Sequence, residues 1–272
     1  MQHFSVSPKE MIASFWRNRS LIKALVRREV VGRYRGSFFG ILWSFFNPVF
    51  MLAVYTFVFS VVFKARWNAG SDSKTEFALV LFGGLIIFNL FSDCVNRAPG
   101  LIISNINYVK KVVFPLEILP WVVLGAALFH ALISLIVWLL FFTVFMGVPH
   151  IKILLLPLVV LPTVFLVMGI SWILASLGVY LRDVSQLIGI ITTVLMFLSP
   201  IFYPVSALPI QYQPFLLLNP LTIPIEQVRD VLMWNRQPDW MIYFAYIVAT
   251  SILAWLGFAW FQKTRKGFAD VL

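Results

Sequence analysis

Residues 119–180 read LPWVVLGAALFHALISLIVWLLFFTVFMGVPHIKILLLPLVVLPTVFLVMGISWILASLGVY, and the only charged side chain among them is Lys152. Two apolar runs, about 120–146 and 153–179, are parted by Gly147-Val148-Pro149-His150. Each run is long enough to cross about 30 Å of hydrocarbon as a helix. A linker this short makes the two an antiparallel hairpin. Helices apolar on every face belong in lipid or deep in a large core.

The rest of the chain has the same character. Of its 272 residues 61% are hydrophobic and 12% charged, and the mean hydropathy is +0.91. A soluble domain has about 45–50% apolar and about 25% charged residues. Further apolar segments fall at about 38–63, 77–95, 187–203 and 241–261, which with the hairpin makes six. The fifth is preceded by Asp183-Val184-Ser185-Gln186, a capping arrangement. The runs are unbroken and lack the alternation of a membrane barrel. The 204–240 connection carries Pro204, Pro209, Pro214, Pro220, Pro224 and Pro238. It is too broken to span and suits short helices dipping partway into the bilayer, where protein or a water-filled cavity must cover their backbone.

Residues 1–37 are basic and patchily apolar. Ser7-Pro8-Lys9-Glu10 has the form of a capping box with Pro at the first helical position. The helix it starts would carry Met11, Ile12, Phe15 and Trp16 on one side. Beyond it Leu21, Ile22, Leu25 and Val26 alternate in helical rhythm with Lys23, Arg27, Arg28, Arg33 and Arg35, the pattern of a helix lying among headgroups. Residues 1–20 lack the apolar core of a cleavable signal peptide, so the first span is expected to stay.

Basic residues set the orientation. With six spans, one side holds 15 of the 21 Lys and Arg and the other holds 6. The expected fold is therefore an all-α integral membrane protein of six transmembrane helices. Both termini are cytoplasmic, an amphipathic interfacial segment occupies 1–37, and 38–272 form a single transmembrane domain. Short re-entrant periplasmic helices lie between spans five and six. The net charge of +10 is then a membrane signal, and no nucleic-acid partner is expected.

The chain lacks the usual machinery for chemistry. No Walker A, H-E-x-x-H or G-x-S-x-G pattern occurs. Cys94 is the one cysteine, and His3, His130 and His150 are far apart. His130 falls inside the third span, where a neutral imidazole bonding a neighbouring helix is favoured over a proton relay. Asp93 and Arg97, four apart near the end of the second span, read as an ion pair. An ion-coupled carrier keeps ionisable groups near the midplane; these spans hold almost none, so energy is expected from a partner ATPase. No metal and no cofactor are expected in this chain.

After the second span Ser104-Asn105-Ile106-Asn107-Tyr108-Val109-Lys110-Lys111-Val112-Val113-Phe114-Pro115-Leu116-Glu117 reads as a short helix stopped near Pro115. It would project Tyr108, Lys111 and Phe114 as a docking knob. A plain connecting loop remains an equal reading on these grounds.

An ordered set of short motifs carries a resemblance. They are Arg27-Arg28-Glu29, Gly32-Arg33-Tyr34-Arg35-Gly36-Ser37, Gly40-Ile41-Leu42-Trp43, Asn47-Pro48, Asn107-Tyr108-Val109-Lys110-Lys111, Phe114-Pro115 and Leu119-Pro120. Tyr180-Leu181-Arg182-Asp183-Val184, Ser199-Pro200-Ile201-Phe202-Tyr203-Pro204 and Leu218-Asn219-Pro220 complete it. From about residue 20 to the C-terminus the chain resembles permease subunits of bacterial ABC-2 polysaccharide exporters, nearest to those for O-antigen through the Tyr55 to Trp67 stretch. The resemblance implies two permeases assembled with two ATPase subunits, which bind ATP and Mg. It implies a coupling helix at 104–115 (Asn105, Asn107, Tyr108, Lys110, Lys111, Phe114, Pro115) and a lipid-linked substrate arriving at the basic N-terminal helix. It also implies a periplasmic gate in the 204–240 region, with Pro200, Phe202, Tyr203, Pro204, Asn219 and Pro220.

Phe39, Trp43, Phe46, Phe50 and Phe57 share one helical face of the first span. Flat rings suit the C–H faces of sugars, so these five are candidate glycan-channel residues; packing against lipid or another helix is the competing reading. Arg27, Arg28, Arg33 and Arg35 can attract the diphosphate of a polyisoprenyl-linked glycan. Two other readings stay open here: an ABC-2 exporter of a drug or small lipid, and a membrane enzyme of glycolipid synthesis.

Overall fold

The computed structural model describes residues 5–58, 67, 74–110 and 114–272. The expectations for His3, Lys64, Arg66, Lys111 and the far end of the first span, 59–63, lie outside the described residues. Among those described, every regular element is helical.

In chain order the helices are α1 (Pro8–Arg17), α2 (Arg19–Arg33), α3 (Trp43–Tyr55), α4 (Lys74–Arg97), α5 (Ile106–Lys110) and α6 (Leu119–Met146). Then come α7 (Leu156–Tyr180), α8 (Val184–Leu198), α9 (Gln213–Leu217), α10 (Thr222–Leu232), α11 (Trp240–Thr264) and α12 (Phe268–Val271). Pro8 opens α1, and the Ser7 hydroxyl accepts from the Glu10 N–H at 3.2 Å. The four apolar residues of α1 do not share a face as expected. Phe15 packs on Trp121 at 4.6 Å between ring centres and Met11 faces the core, whereas Ile12 and Trp16 point outward. Each pair is spaced four apart, so the inward contact took one pair and left the other, about 100° round, to the surroundings.

α2 lies against the start of α6, burying Ile22 and Leu25 on Ile118 and Val122. A Cβ on Gly125 would meet Val26 at 2.5 Å, so the two helices touch closely there. α4 is the central strut: 83% of its most apolar stretch is buried. α7 and α11 pack backbone to backbone. A Cβ on Gly169 would sit 2.7 Å from the Leu253 carbonyl oxygen, and one on Gly257 would overlap the Gly169 carbonyl. Without a hydrophobic drive between helices in lipid, such small-residue contacts do the holding. Gly147, with φ of +94°, ends α6 and turns the chain into the hairpin read from sequence.

Among the described residues five helical stretches are long and apolar enough to cross a bilayer: Gly40–Val58, Thr75–Arg97, Leu116–Met146, Ile151–Tyr180 and Trp240–Val271. The segment expected at 187–203 differs. Its helix, α8, has 15 residues, about 22 Å of rise against about 30 Å of hydrocarbon. It stops at Ser199, whose backbone is extended, because a residue before proline is pushed out of the helical region.

Within 204–240, α10 lies against α4 and α7 with most of its residues buried. Arg229 on this helix is 1% exposed. It donates to the carbonyls of Val80 (3.0 Å) and Ile201 (2.8 Å), to that of Pro200, and to the Glu226 carboxylate at 3.0 Å. Trp67 covers its guanidinium at 4.3 Å. Burial pulls its pKa down to about 10, which leaves the side chain charged near neutrality.

Candidate functional site: a polar cavity beside the basic helix

A cavity of about 620 Å³ lies between α3, α4, α6 and the C-terminal end of α2. From α3 it takes Trp43, Asn47, Met51 and Tyr55, spaced four apart on one face, with Ser44 and Pro48 beside them. From α4 it takes Phe82, Asn89, Ser92, Asp93, Asn96 and Arg97; from α6, His130 and Ser134; from the end of α2, Arg33 and Tyr34. Three amides and five hydroxyls, those of three serines and two tyrosines, thus line the cavity.

Charge gathers at one end of the cavity. Arg33 donates to Asp93 at 3.4 Å, and Arg97 reaches the same carboxylate at 3.9 Å. Arg97 also pairs with Glu29 of α2. The expected Asp93–Arg97 pair is therefore part of a four-member network joining α2 to α4. Asn96 accepts a hydrogen bond from Thr192 of α8 at 3.0 Å and donates to Ser92 at 2.9 Å. The Tyr34 hydroxyl and His130 Nδ1 lie 3.4 Å apart, which links α2 to α6. On the far side of the Glu29–Arg97 pair a second cavity of about 380 Å³ is lined by Arg28, Glu29, Ser104 and Asn105, among others.

Of the five aromatics picked out on the first span, the cavity takes only Trp43. Phe39 and Phe46 stack edge-on around Trp43 at 5.6 and 6.4 Å, while Phe50 and Phe57 are exposed on another face. Asn47 and Tyr55 entered the sequence reading only through the resemblance and not as candidate site residues, although a signal was present. Asn47 and Asn89 are polar residues in apolar runs, one lies four residues past Trp43, and Asn89, Asp93 and Asn96 recur at helical spacing.

The four arginines divide. Arg33 is paired with Asp93, and Arg28 donates to the Tyr108 hydroxyl at 3.2 Å. Arg27 and Arg35 are exposed and have no acidic partner among the described residues.

The 104–115 segment also differs in detail from its sequence reading. The α-helical part, α5, has five residues, preceded by a 3-10 turn at Ile103–Asn105. Ser104 and Asn105 bond the Leu101 carbonyl behind them, at 3.1 and 2.9 Å, rather than capping the helix ahead. Tyr108 and Phe114 do not project. They stack face to face at 4.2 Å and pack partly buried against the core, with Pro115 half-buried beside them. Among the described residues of the segment the exposed side chains are Ser104, Asn107 and Lys110. Two rings this apolar gain more from each other than from water.

The break after α8 is held by side-chain hydrogen bonds. Asn219 donates to Ser199 Oγ at 2.9 Å and accepts from the Leu221 N–H at 2.9 Å. The Pro220 carbonyl accepts from the Tyr246 hydroxyl at 2.6 Å. Tyr203 bonds the Phe197 carbonyl at 3.2 Å, and the Phe202 ring sits 6.4 Å from that of Tyr55; Pro204 leads into the 3-10 turn Val205–Ala207. Among the described residues no three His, Cys, Asp or Glu side chains are grouped to hold a metal ion.

Long apolar helices around a polar cavity define the class: a multi-pass membrane protein of the inner membrane, built for transport. The chain belongs to the ABC-2 type transporter family, whose profile matches residues 20–233. It is 28% identical over 262 residues to the O-antigen export system permease protein RfbA of Myxococcus xanthus, covering 96% of this chain and 98% of that protein. It is 25% identical over 256 residues to an RfbA permease of Klebsiella pneumoniae, covering 93% and 95%. The polysialic acid transport protein KpsM of Escherichia coli is 28% identical over 252 residues, covering 90% and 93%.

Proposed function

We propose that this chain is the permease of an ATP-driven exporter that moves lipid-linked polysaccharide of the O-antigen kind from cytoplasm to periplasm. The observation that carries the reading is the cavity: amides at Asn47, Asn89 and Asn96 beside the rings of Trp43 and Tyr55. Amides bond sugar hydroxyls while rings receive sugar C–H faces, and neither holds one sugar too firmly to release it. Full-length similarity to permeases named for O-antigen and polysialic acid supports it.

The functional unit is a dimer of this chain with two copies of a cytoplasmic ATPase subunit, and the polymer path runs between the two permeases. Both termini face the cytoplasm, where 15 of the 21 basic residues would lie in accord with the positive-inside bias. α8 crosses with the help of residues 200–207, which makes a sixth span. α9 and α10 dip in from the periplasm, and the buried surface of α10 against α4 and α7 supplies the cover that re-entrant backbone needs. Residues Pro200 to Pro204 with Asn219 and Pro220 form the exit gate.

Arg27 on α2 and Arg35 just past its end, both exposed, draw the carrier's diphosphate to the leaflet, where a basic side chain near an anionic surface contributes about 1 kcal/mol. The 104–115 segment docks on the ATPase through Asn105, Asn107 and Lys110, and Tyr108, Phe114 and Pro115 back it. Closure of the ATPases on ATP pushes this segment and rocks the spanning helices.

The test is transport in proteoliposomes holding the permease with its ATPase. Lipid-linked glycan placed outside should become protected from an added glycosidase on addition of ATP. Protection without ATP, or with a proton gradient in its place, would remove the ATP-driven reading. Movement of a drug or short lipid but no glycan would assign the alternative cargo.

A further inference from the structure

The most polar spot in the apolar run FPLEILP (114–120) is Glu117, and the structure buries it at 6% exposure. Its Oε1 accepts from the Ser14 hydroxyl of α1 at 2.9 Å, and its Oε2 accepts from Arg265 Nη1 at 2.6 Å. Nη2 of the same Arg265 donates to the Phe114 carbonyl at 2.8 Å. The Glu117 carbonyl accepts from the buried indole N–H of Trp172 on α7 at 3.0 Å. The Glu117 carboxylate thus binds α1 and the end of α11 to the segment that follows α5, and its main-chain carbonyl adds α7.

The ties continue outward. Phe114 is stacked on Tyr108 of α5, and Tyr108 receives a hydrogen bond from Arg28 of α2. Movement imposed on α5 therefore reaches Phe114, then Arg265 through the Phe114 carbonyl, then Glu117 and Ser14. A buried ion pair adds little net stability compared with apolar side chains of the same volume. What it does supply is direction. Greasy surfaces slide over one another, whereas a carboxylate held by two donors from two helices cannot shift against either without losing a charge-assisted bond.

We propose that Glu117 is a positioning residue for coupling: through Arg265 and Ser14 it makes α5, residues 114–118, α1 and the end of α11 move as one unit. The inference rests on the reading that α5 docks on an ATPase. Glu117 touches neither cargo nor nucleotide; it acts by carrying displacement.

The experiment uses the permease–ATPase complex in proteoliposomes and measures ATP hydrolysis and glycan export in the same vesicles. Glu117→Gln keeps an acceptor for Ser14 and removes the charge facing Arg265. Arg265→Lys keeps both charges but loses the fork that also holds Phe114. Each variant is expected to assemble and to hydrolyse ATP within about twofold of the parent, while glycan exported per ATP falls about tenfold, the size of a typical coupling between sites. Export per ATP within about twofold of the parent in either variant overturns the proposal, since tenfold is the loss that coupling requires. If Glu117→Gln does not assemble, Arg265→Lys decides alone. A parent complex that neither recruits the ATPase nor exports in response to ATP defeats the functional reading instead, before any variant is compared.

Discussion

Arg229 donates from Nη2 to the carbonyl oxygen of Ile201 at 2.8 Å, across 28 residues of chain, and so closes the break between α8 and the short helices that follow. With its bonds to Val80 and Pro200 it pins that break to α4. Pro200 cannot continue α8, and the carbonyls freed there would otherwise be buried without donors, each at a penalty of about 1–3 kcal/mol.

Arg229→Met should therefore destabilise the protein by about 3–5 kcal/mol, the range for breaking a buried charge network. Arg229→Lys keeps the charge but puts its three donors on one nitrogen, which cannot reach three carbonyls bonded by three separate guanidinium nitrogens, and should fall between. Thermal unfolding in detergent, followed by tryptophan fluorescence, checks the order.

The α7–α11 contact should tolerate no side chain at Gly257. Gly257→Ala places a methyl into the Gly169 carbonyl, and an overpacked core loses about 1–3 kcal/mol. Gly257→Leu should abolish the monodisperse peak in size-exclusion chromatography. Gly189→Ala on α8, with nothing within 4 Å, should leave it unchanged.

Within the cavity, Asn47→Leu and Trp43→Ala should each lower glycan export about tenfold, the equivalent of one or two hydrogen bonds at about 0.5–1.5 kcal/mol each. Phe50→Ala, on a face the cavity does not touch, should lower it less than about twofold, as expected of exposed substitutions. Export assays on matched amounts of protein separate the two faces of the first span.

Arg35→Glu should weaken binding to anionic vesicles about thirtyfold at low salt, because reversing one charge removes one attraction and adds one repulsion of about 1 kcal/mol each. The deficit should shrink as ionic strength rises and the Debye length contracts. Arg33→Glu should also disturb folding, since it would face Asp93. Vesicle flotation across a salt series reads the first effect, and thermal unfolding the second.

Much of the fold was legible because lipid imposes long apolar runs. The 120–146 and 153–179 hairpin, the Ser7 cap and the helix at 77–95 all appear within a few residues of their expected positions. What hydropathy does not encode is where a helix breaks. The 187–203 run reads as one span, yet Pro200 ends α8 at Leu198. The cavity face was missed because aromatic spacing marks a face without saying which neighbour it meets. The polar residues at 47, 89 and 96, costly inside a membrane unless they have a use, were the better guide. Glu117 and Arg265 meet across 148 residues, a distance no local pattern reports.

The most direct measurement of the central claim, that this chain borrows force through a small cytoplasmic contact, is labelling and cross-linking at Lys110→Cys. Lys110 is exposed on α5, and the native Cys94 is buried at 1%, so an added thiol reports without background. A membrane-impermeant maleimide should fail to label it in intact cells and should label it in inverted vesicles, and a bifunctional cross-linker should join it to an ATP-hydrolysing subunit. Labelling from outside intact cells, or the absence of any such ATPase in the cross-linked product, would contradict the claim.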